Sequence, residues 1–97
     1  MWIGVIELDL LLGDVHSLKT KRGLVRPLVR ELQQRFEVSA AEVDHLDLHR
    51  RAAVGAACVS PDHAHAVEIL DRVERFCAAR PEFELLSARR QLSTMDD

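Results

Sequence analysis

The segment 51–60, RAAVGAACVS, decides the fold, because it is apolar on both faces of an extended strand and is built mostly from small residues. Such a pattern is typical of a central strand that helices cross at short range. The other strongly apolar strand is 2–12, WIGVIELDLLL, whose apolar face is formed by Trp2, Ile6, Leu8, Leu10 and Leu12. We therefore expect segments 2–12 and 51–60 to form the central, antiparallel pair of one sheet.

A first helix is predicted between these two strands. Ser17 is a suitable N-cap, and the helix is expected to run to about Phe36. Pro27 lies inside it, four residues after Gly23, and predicts a kink or a non-α first turn. The expected buried stripe of this helix consists of Leu18, Val25, Leu28, Leu32 and Phe36.

The remaining segments complete a repeated strand–helix–strand order. Residues 38–44 predict a second strand, 45–50 a polar connection, and 83–92 a last strand, with 93–97 as a frayed tail. Ser60-Pro61-Asp62 predicts the start of a second helix with Ser60 as N-cap, and its expected stripe is Val67, Leu70, Val73 and Cys77. The order βαββαβ predicts a single α+β domain over 1–97, a ferredoxin-like split βαβ sandwich with a four-stranded antiparallel sheet and both helices on one face.

Composition narrows the class of protein. The chain has 97 residues, 47% hydrophobic residues and a net charge of −3, which is typical of one globular domain and favours nucleic-acid contact only through a local basic patch. No apolar run is long enough to cross a membrane, and the apolar start lacks a positive leader, so we expect a cytoplasmic protein with no membrane partner. Cys58 and Cys77 stand in apolar segments and are expected to be buried free thiols.

Several segments carry a family resemblance. They are WIGVIELDL, HSLKTKRGLVRPL, VSAAEVDHLDLHRRAAVGAACVS and RPEFELLSARRQL, in which SLK-x-KR and AEVDH-x-DL are the most specific parts. The chain thereby resembles the YlxP-like family of small bacterial proteins of unknown function. The resemblance implies a ferredoxin-like fold. It also implies, by gene neighbourhood with translation initiation and ribosome maturation factors, a role near the ribosome.

The first helix is locally basic, with six positive residues and one acid between Ser17 and Arg35. The split βαβ path brings the start of this helix and the hairpin after the second strand to the same end of the sheet. We therefore predict a site for RNA or a ribosomal particle there, although a solvated helix face predicts the same pattern. The predicted nucleic-acid-binding residues are Lys19, Lys21, Arg22, Arg26, Arg50 and Arg51, supported by a polar cluster of Ser17, Asp44, His45 and Asp47.

Other functions receive less support from the sequence. His45, Asp47 and His49 would share one side of an extended run, which leaves open a metal-dependent enzyme, but no fourth ligand is apparent. Motifs for nucleophilic catalysis, phosphate loops and paired cysteines are missing, so we expect a non-catalytic protein without cofactor or metal. A small-molecule-sensing or protein-interaction module is the alternative.

The predicted fold leaves one face of the sheet without helices. Ile3, Val5 and Leu11 would lie on it if the even-numbered residues of the first strand face the helices. Exposed apolar surface of this kind commonly marks an interface between copies of a chain, so a homodimer is expected.

Overall fold

The two apolar strands occupy the centre of the sheet in a computed structural model, which describes residues 1–95. The sheet has the order β2-β3-β1-β4 and every neighbouring pair is antiparallel, which confirms the ferredoxin-like α+β fold. The elements are β1 Trp2–Leu12, α1 Leu18–Phe36, β2 Ser39–Asp44, β3 Arg51–Ser60, α2 His63–Ala78 and β4 Phe83–Thr94.

The alternation along β1 determines which face the helices cover. Its even-numbered side chains from Ile6 to Leu12 are buried, whereas Val5 on the opposite face is 38% exposed. The same core contains Leu28 from α1 and Leu70 from α2, so both helices pack on the even-numbered face. Because successive strand residues point to opposite faces, the odd-numbered face stays without helices, as predicted.

Helix α2 approaches the sheet closely over β1. A Cβ atom at Gly4 would lie 3.3 Å from Leu70 Cδ1 and 3.2 Å from Cys58 Sγ, both tight distances. A larger residue at position 4 would therefore push α2 away from the sheet. The small residue at position 4 of β1 thus permits close packing of α2 on the sheet.

Helix α1 begins as predicted, because Thr20 N donates to the Ser17 side chain at 3.1 Å. The helix is α-helical from Leu18 onwards and continues through Pro27, so the predicted irregular first turn is wrong. The carbonyl crowded by the proline ring belongs to Gly23, which is exposed and has no neighbouring atoms around its Cβ position. This turn can therefore adjust to the ring without disturbing the core.

Several predicted boundaries need correction. The N-cap of α2 is Asp62, which accepts from Ala64 N at 3.3 Å, while Ser60 ends β3 and binds the backbone of Asp62. Strand β2 begins at Ser39, one residue later than predicted. Strand β4 continues to Thr94, because it pairs with β1 as far as Trp2 opposite Thr94. The predicted frayed tail is therefore wrong for residues 93–94. Residues 96–97 lie outside the described part of the chain.

The buried stripes differ in part from prediction. In α1 Lys21 is buried, whereas Leu18 and Phe36 are only partly buried; in α2 Ala66 is buried where Val67 was expected. Cys58 and Cys77 are buried free thiols, as predicted, and burial raises the pKa of Cys77 to about 12. Within residues 1–95, no helix is long and apolar enough to cross a membrane.

Replacing Pro27 by alanine tests the cost of the interior proline. We expect Pro27→Ala to raise the free energy of unfolding by about 1–2 kcal/mol, because alanine restores a backbone donor and removes the ring from the Gly23 carbonyl. The gain is partly offset by greater freedom of the unfolded chain. Urea unfolding followed by circular dichroism measures the change, and Gln34→Ala on the same helix serves as the near-neutral control. A less stable Pro27→Ala variant would contradict the expectation.

Candidate nucleic-acid interface

Three segments that are distant in sequence meet at one end of the sheet. Leu12 N donates to the Arg50 carbonyl at 2.8 Å, and Arg50 Nε donates to the Gly13 carbonyl at 2.7 Å. Lys21 Nζ donates to the His45 carbonyl at 2.6 Å. The loop after β1, the start of α1 and the hairpin between β2 and β3 are therefore in direct contact, as the topology predicted.

Lys21 holds the hairpin and does not face solvent. Its side chain is 1% exposed, and its ammonium lies 2.8 Å from Glu42 Oε2 as well as bonding to His45. An ammonium that is buried against a carboxylate and a carbonyl is not accessible to a phosphate in solvent. The prediction that Lys21 contacts nucleic acid is therefore corrected. The sequence spacing already indicated that Lys21 is buried, because it precedes Val25 by four residues and so falls on the buried stripe.

The hairpin turn is strained at the residue that Lys21 contacts. His45 has φ 60°, a left-handed conformation that is uncommon outside glycine. The Asp44 carboxylate accepts from His45 N at 2.7 Å, and Leu48 N donates to the His45 carbonyl at 3.1 Å. Lys21 donates to the same carbonyl, so a single oxygen fixes both the turn and its position against α1.

The predicted supporting cluster is only partly assembled. Ser17 caps α1 and Asp44 stabilises its own turn, while Asp47 is exposed at the hairpin tip. Within residues 1–95, neither aspartate forms an ion pair with a lysine or arginine. The carboxylate that orients a cation here is Glu42, which the sequence did not single out.

Both predicted hairpin arginines are already engaged. Arg50 Nε bonds the carbonyls of the loop after β1, and Arg51 Nη2 lies 2.5 Å from Asp9 Oδ2 on the helix-free face. The hydrogen bond from Arg51 lowers the pKa of the Asp9 carboxyl below its ordinary value. His45 Nε2 lies 3.7 Å from the other oxygen of Asp9. These arginines therefore contribute mainly to the architecture of this end of the sheet.

The outward face of α1 carries cations with no such partners. They follow one another at intervals of three or four residues, which places them on one side of the helix, and all are exposed. Within residues 1–95 none of them forms an ion pair or a side-chain hydrogen bond. We call this set the basic stripe: Lys19, Arg22, Arg26 and Arg30. Arg30 was not among the predicted site residues, although its spacing of four from Arg26 indicates it.

Most other arginines of the chain are neutralised or stacked. Arg72 lies 2.6 Å from Glu68, Arg90 lies 2.7 Å from Asp71, and Arg80 pairs with two glutamates. Arg35 at the end of α1 lies over the Phe76 ring at 5.1 Å. Unpartnered positive charge is therefore concentrated on α1, although the net charge of the chain is −3.

The polar side chains of the hairpin are not grouped as metal ligands in the described part of the chain. Within residues 1–95, no three His, Cys, Asp or Glu side chains are arranged so that they could hold a metal ion. The predicted set of His45, Asp47 and His49 fails because the connection is a tight turn, whereas the shared side required an extended run. The alternative of a metal-dependent enzyme that uses this hairpin therefore has no geometric support in the described part of the chain.

The helix-free face of the sheet carries several apolar side chains. Val43 and Val59 are 52% and 64% exposed, Ile3 is half-buried beside Val59, and Leu11 is half-buried near the other end of β1. A shallow groove of about 800 Å³ crosses this face over Gly55. Two ion pairs lie on this face, because Arg89 binds Glu7 and Arg51 binds Asp9. We call this surface the open sheet face.

Aromatic residues are not available on the open sheet face to stack nucleic-acid bases. Trp2 packs edge-on against His63 at 4.6 Å, and Phe36 packs against Phe76 at 5.5 Å between the helices. Phe83 is buried in the core. A stacking platform of the kind used by RNA-recognition motifs is therefore missing from this face in the described part of the chain.

Comparison with known proteins gives a consistent result. A family model described as "Protein of unknown function (DUF503)" matches residues 3–90. The chain is also 33% identical over 82 residues to the uncharacterized protein YlxP of Bacillus subtilis (strain 168), a match that covers 84% of this chain and 89% of that protein. The predicted resemblance to YlxP-like proteins is thereby confirmed.

Removing one or both partners of the Lys21–Glu42 ion pair tests the structural role of Lys21. We expect Lys21→Ala to lower the free energy of unfolding by about 3 kcal/mol, because it leaves the Glu42 carboxylate and the His45 carbonyl without their donor. The double variant Lys21→Met/Glu42→Leu should recover much of this loss, since no buried charge remains. Chemical unfolding measures all variants. Lys19→Ala, two residues away on the exposed face, is the control and should change stability by less than about 0.5 kcal/mol.

Proposed function

The chain belongs to the DUF503 family of proteins of unknown function, and we propose that it is a non-catalytic accessory protein that binds RNA through the basic stripe of α1. The observation that carries the proposal is the concentration of unpartnered, exposed cations on one helix face of an otherwise acidic chain. A cation that is already paired gains little from a phosphate, whereas an unpaired one releases condensed counterions when it binds.

The stripe favours recognition of the phosphate backbone. Its side chains are lysine and arginine only, and the open sheet face offers no aromatic residue for bases. Contacts to phosphate position a protein on nucleic acid without reading sequence. Binding should therefore be largely independent of RNA sequence. With about four phosphate contacts, log K should fall against log salt with a slope of about −3.

The proposed partner is structured RNA, with the ribosomal particle as its cellular form, and the proposed location is the cytoplasm. The family resemblance supports a partner near the translation apparatus, and co-sedimentation with ribosomal particles tests it directly. The alternative, a small-molecule-sensing or protein-interaction module, is favoured by one observation, the groove of about 800 Å³ on the open sheet face. The two functions use opposite sides of the molecule and can be tested separately.

We also propose that the open sheet face pairs with a second copy of the chain. Four strands at about 4.8 Å spacing, with lengths of 6 to 12 residues, present a face on the order of 500 Å². Two such faces would bury about 1,000 Å², which is near the lower limit for a specific interface. The two acids near its centre are already paired with arginines, so two faces can meet without repulsion between unpaired charges.

Removing two cations from the stripe tests RNA binding. We expect Arg22→Ala/Arg26→Ala to raise the Kd for a labelled RNA hairpin at least tenfold at low salt and to reduce the salt slope by about 1.5. The melting temperature should be nearly unchanged, because both side chains are exposed and alanine favours helix. Fluorescence anisotropy at several salt concentrations provides the measurement.

The chain offers a matched control for charge. Arg72→Ala/Arg75→Ala removes the same two charges from exposed positions on α2. If binding depends on the stripe, this control binds like the parent. Equal loss in both variants would show that only the net charge matters, and a parent protein that does not bind RNA would refute the proposed function.

Sedimentation velocity tests the dimer. At micromolar concentration the parent should sediment at twice the chain mass of 11.0 kDa, and Val43→Glu should sediment as a monomer, because it places a charge within the paired faces. Leu46→Glu, at a similarly exposed position on the hairpin tip, is the control and should remain dimeric. A monomeric parent would rule out the dimer.

A further inference from the structure

A depression in the surface of α1 lies within the basic stripe. It has a volume of about 370 Å³, and besides the four cations it is lined by Gly23 and Pro27. On the helix surface, Lys19, Gly23 and Pro27 form one row at intervals of four residues. Arg22, Arg26 and Arg30 form the neighbouring row. The depression follows from this arrangement, because the middle of the first row has no side chain.

The fold itself does not require a glycine at position 23. Its φ is not in the left-handed region, so the backbone conformation is open to any residue. A Cβ atom there would meet nothing within 4 Å, so no part of the described chain approaches it closely. Glycine inside a helix is unfavourable relative to other residues. The space that a side chain at position 23 would occupy is therefore left empty by the described chain and is open to a group from outside.

The charges around Gly23 indicate the chemistry of that external group. Along the helix, successive arginines of the stripe are separated by roughly 6 Å, which is comparable to the separation of neighbouring phosphates in a nucleic-acid strand. Guanidinium groups bind phosphate with two parallel hydrogen bonds, and unpaired ones are free to turn toward the depression. A linear polyanion fits such a row better than a single small anion.

We propose that the depression over Gly23 receives the phosphodiester backbone of the bound RNA. This inference rests on the proposed RNA-binding function and specifies where on α1 the strand lies. The missing side chain lets a phosphate or ribose pack directly against the helix. The three arginines follow the strand on one side, and Lys19 contacts it near the start of α1.

Filling the depression without removing charge tests the proposal. Gly23→Leu should raise the Kd for RNA at least tenfold, while the melting temperature stays equal or rises, because leucine favours helix and its Cβ atom meets no neighbour. Gly23→Ala leaves most of the space and should bind within about threefold of the parent. Gly23→Gln fills the same space with a polar side chain and should behave like Gly23→Leu. Ala78→Leu, at an exposed position on α2, controls for an added apolar side chain and should bind normally.

Two labelled probes show whether the depression binds double-stranded or single-stranded RNA. An RNA hairpin represents the duplex, and oligouridine represents the single strand. Loss of affinity for either probe in both bulky variants supports the proposal and identifies the form bound. If Gly23→Leu and Gly23→Gln bind both probes like the parent while Arg22→Ala/Arg26→Ala does not, the strand does not lie over Gly23 and this inference fails, although the proposed function stands. A parent that binds neither probe overturns both.

Discussion

The antiparallel pairing of β1 with β3 is the constraint on which the rest of the structure depends. The register runs without interruption from Trp2 opposite Ser60 to Leu11 opposite Arg51. This register places the apolar even-numbered residues of β1 beside the small residues of β3 on a single face. Both helices cover that face, and the other face is left uncovered because the period of a strand is two. The pairing also fixes which loops share an end of the sheet.

The helical period divides the cations of α1 between a buried face and an exposed face. The inward face buries Lys21 together with Val25, Leu28 and Leu32, so that one cation becomes a structural connection to the hairpin. The outward face keeps the basic stripe in solvent. The basic segment of the sequence is therefore divided in space into one buried, structural cation and the exposed basic stripe, according to the burial of each position.

The basic stripe and the open sheet face lie on opposite sides of the molecule. Helix α1 packs on the even-numbered face of β1, and the stripe points away from the sheet. In the proposed dimer, pairing of two open sheet faces would leave both stripes exposed on the outside. One assembly could then contact two segments of RNA, without competition between self-association and RNA binding.

The sequence by itself determined the element order, the central strands, the helix-free face and the basic character of α1, because each of these follows from local periodicity and composition. It did not determine the N-cap of α2, where Ser60 and Asp62 offer equivalent local signals and strand pairing selects between them. Only the tertiary structure decided that Lys21 is buried against Glu42, which the sequence did not single out. It likewise decided how Arg51, Arg89 and Arg90 are neutralised, since their acidic partners lie on other elements. Whether a charge is free or paired depends on distances across the fold, and these are not contained in the spacing of residues along one helix.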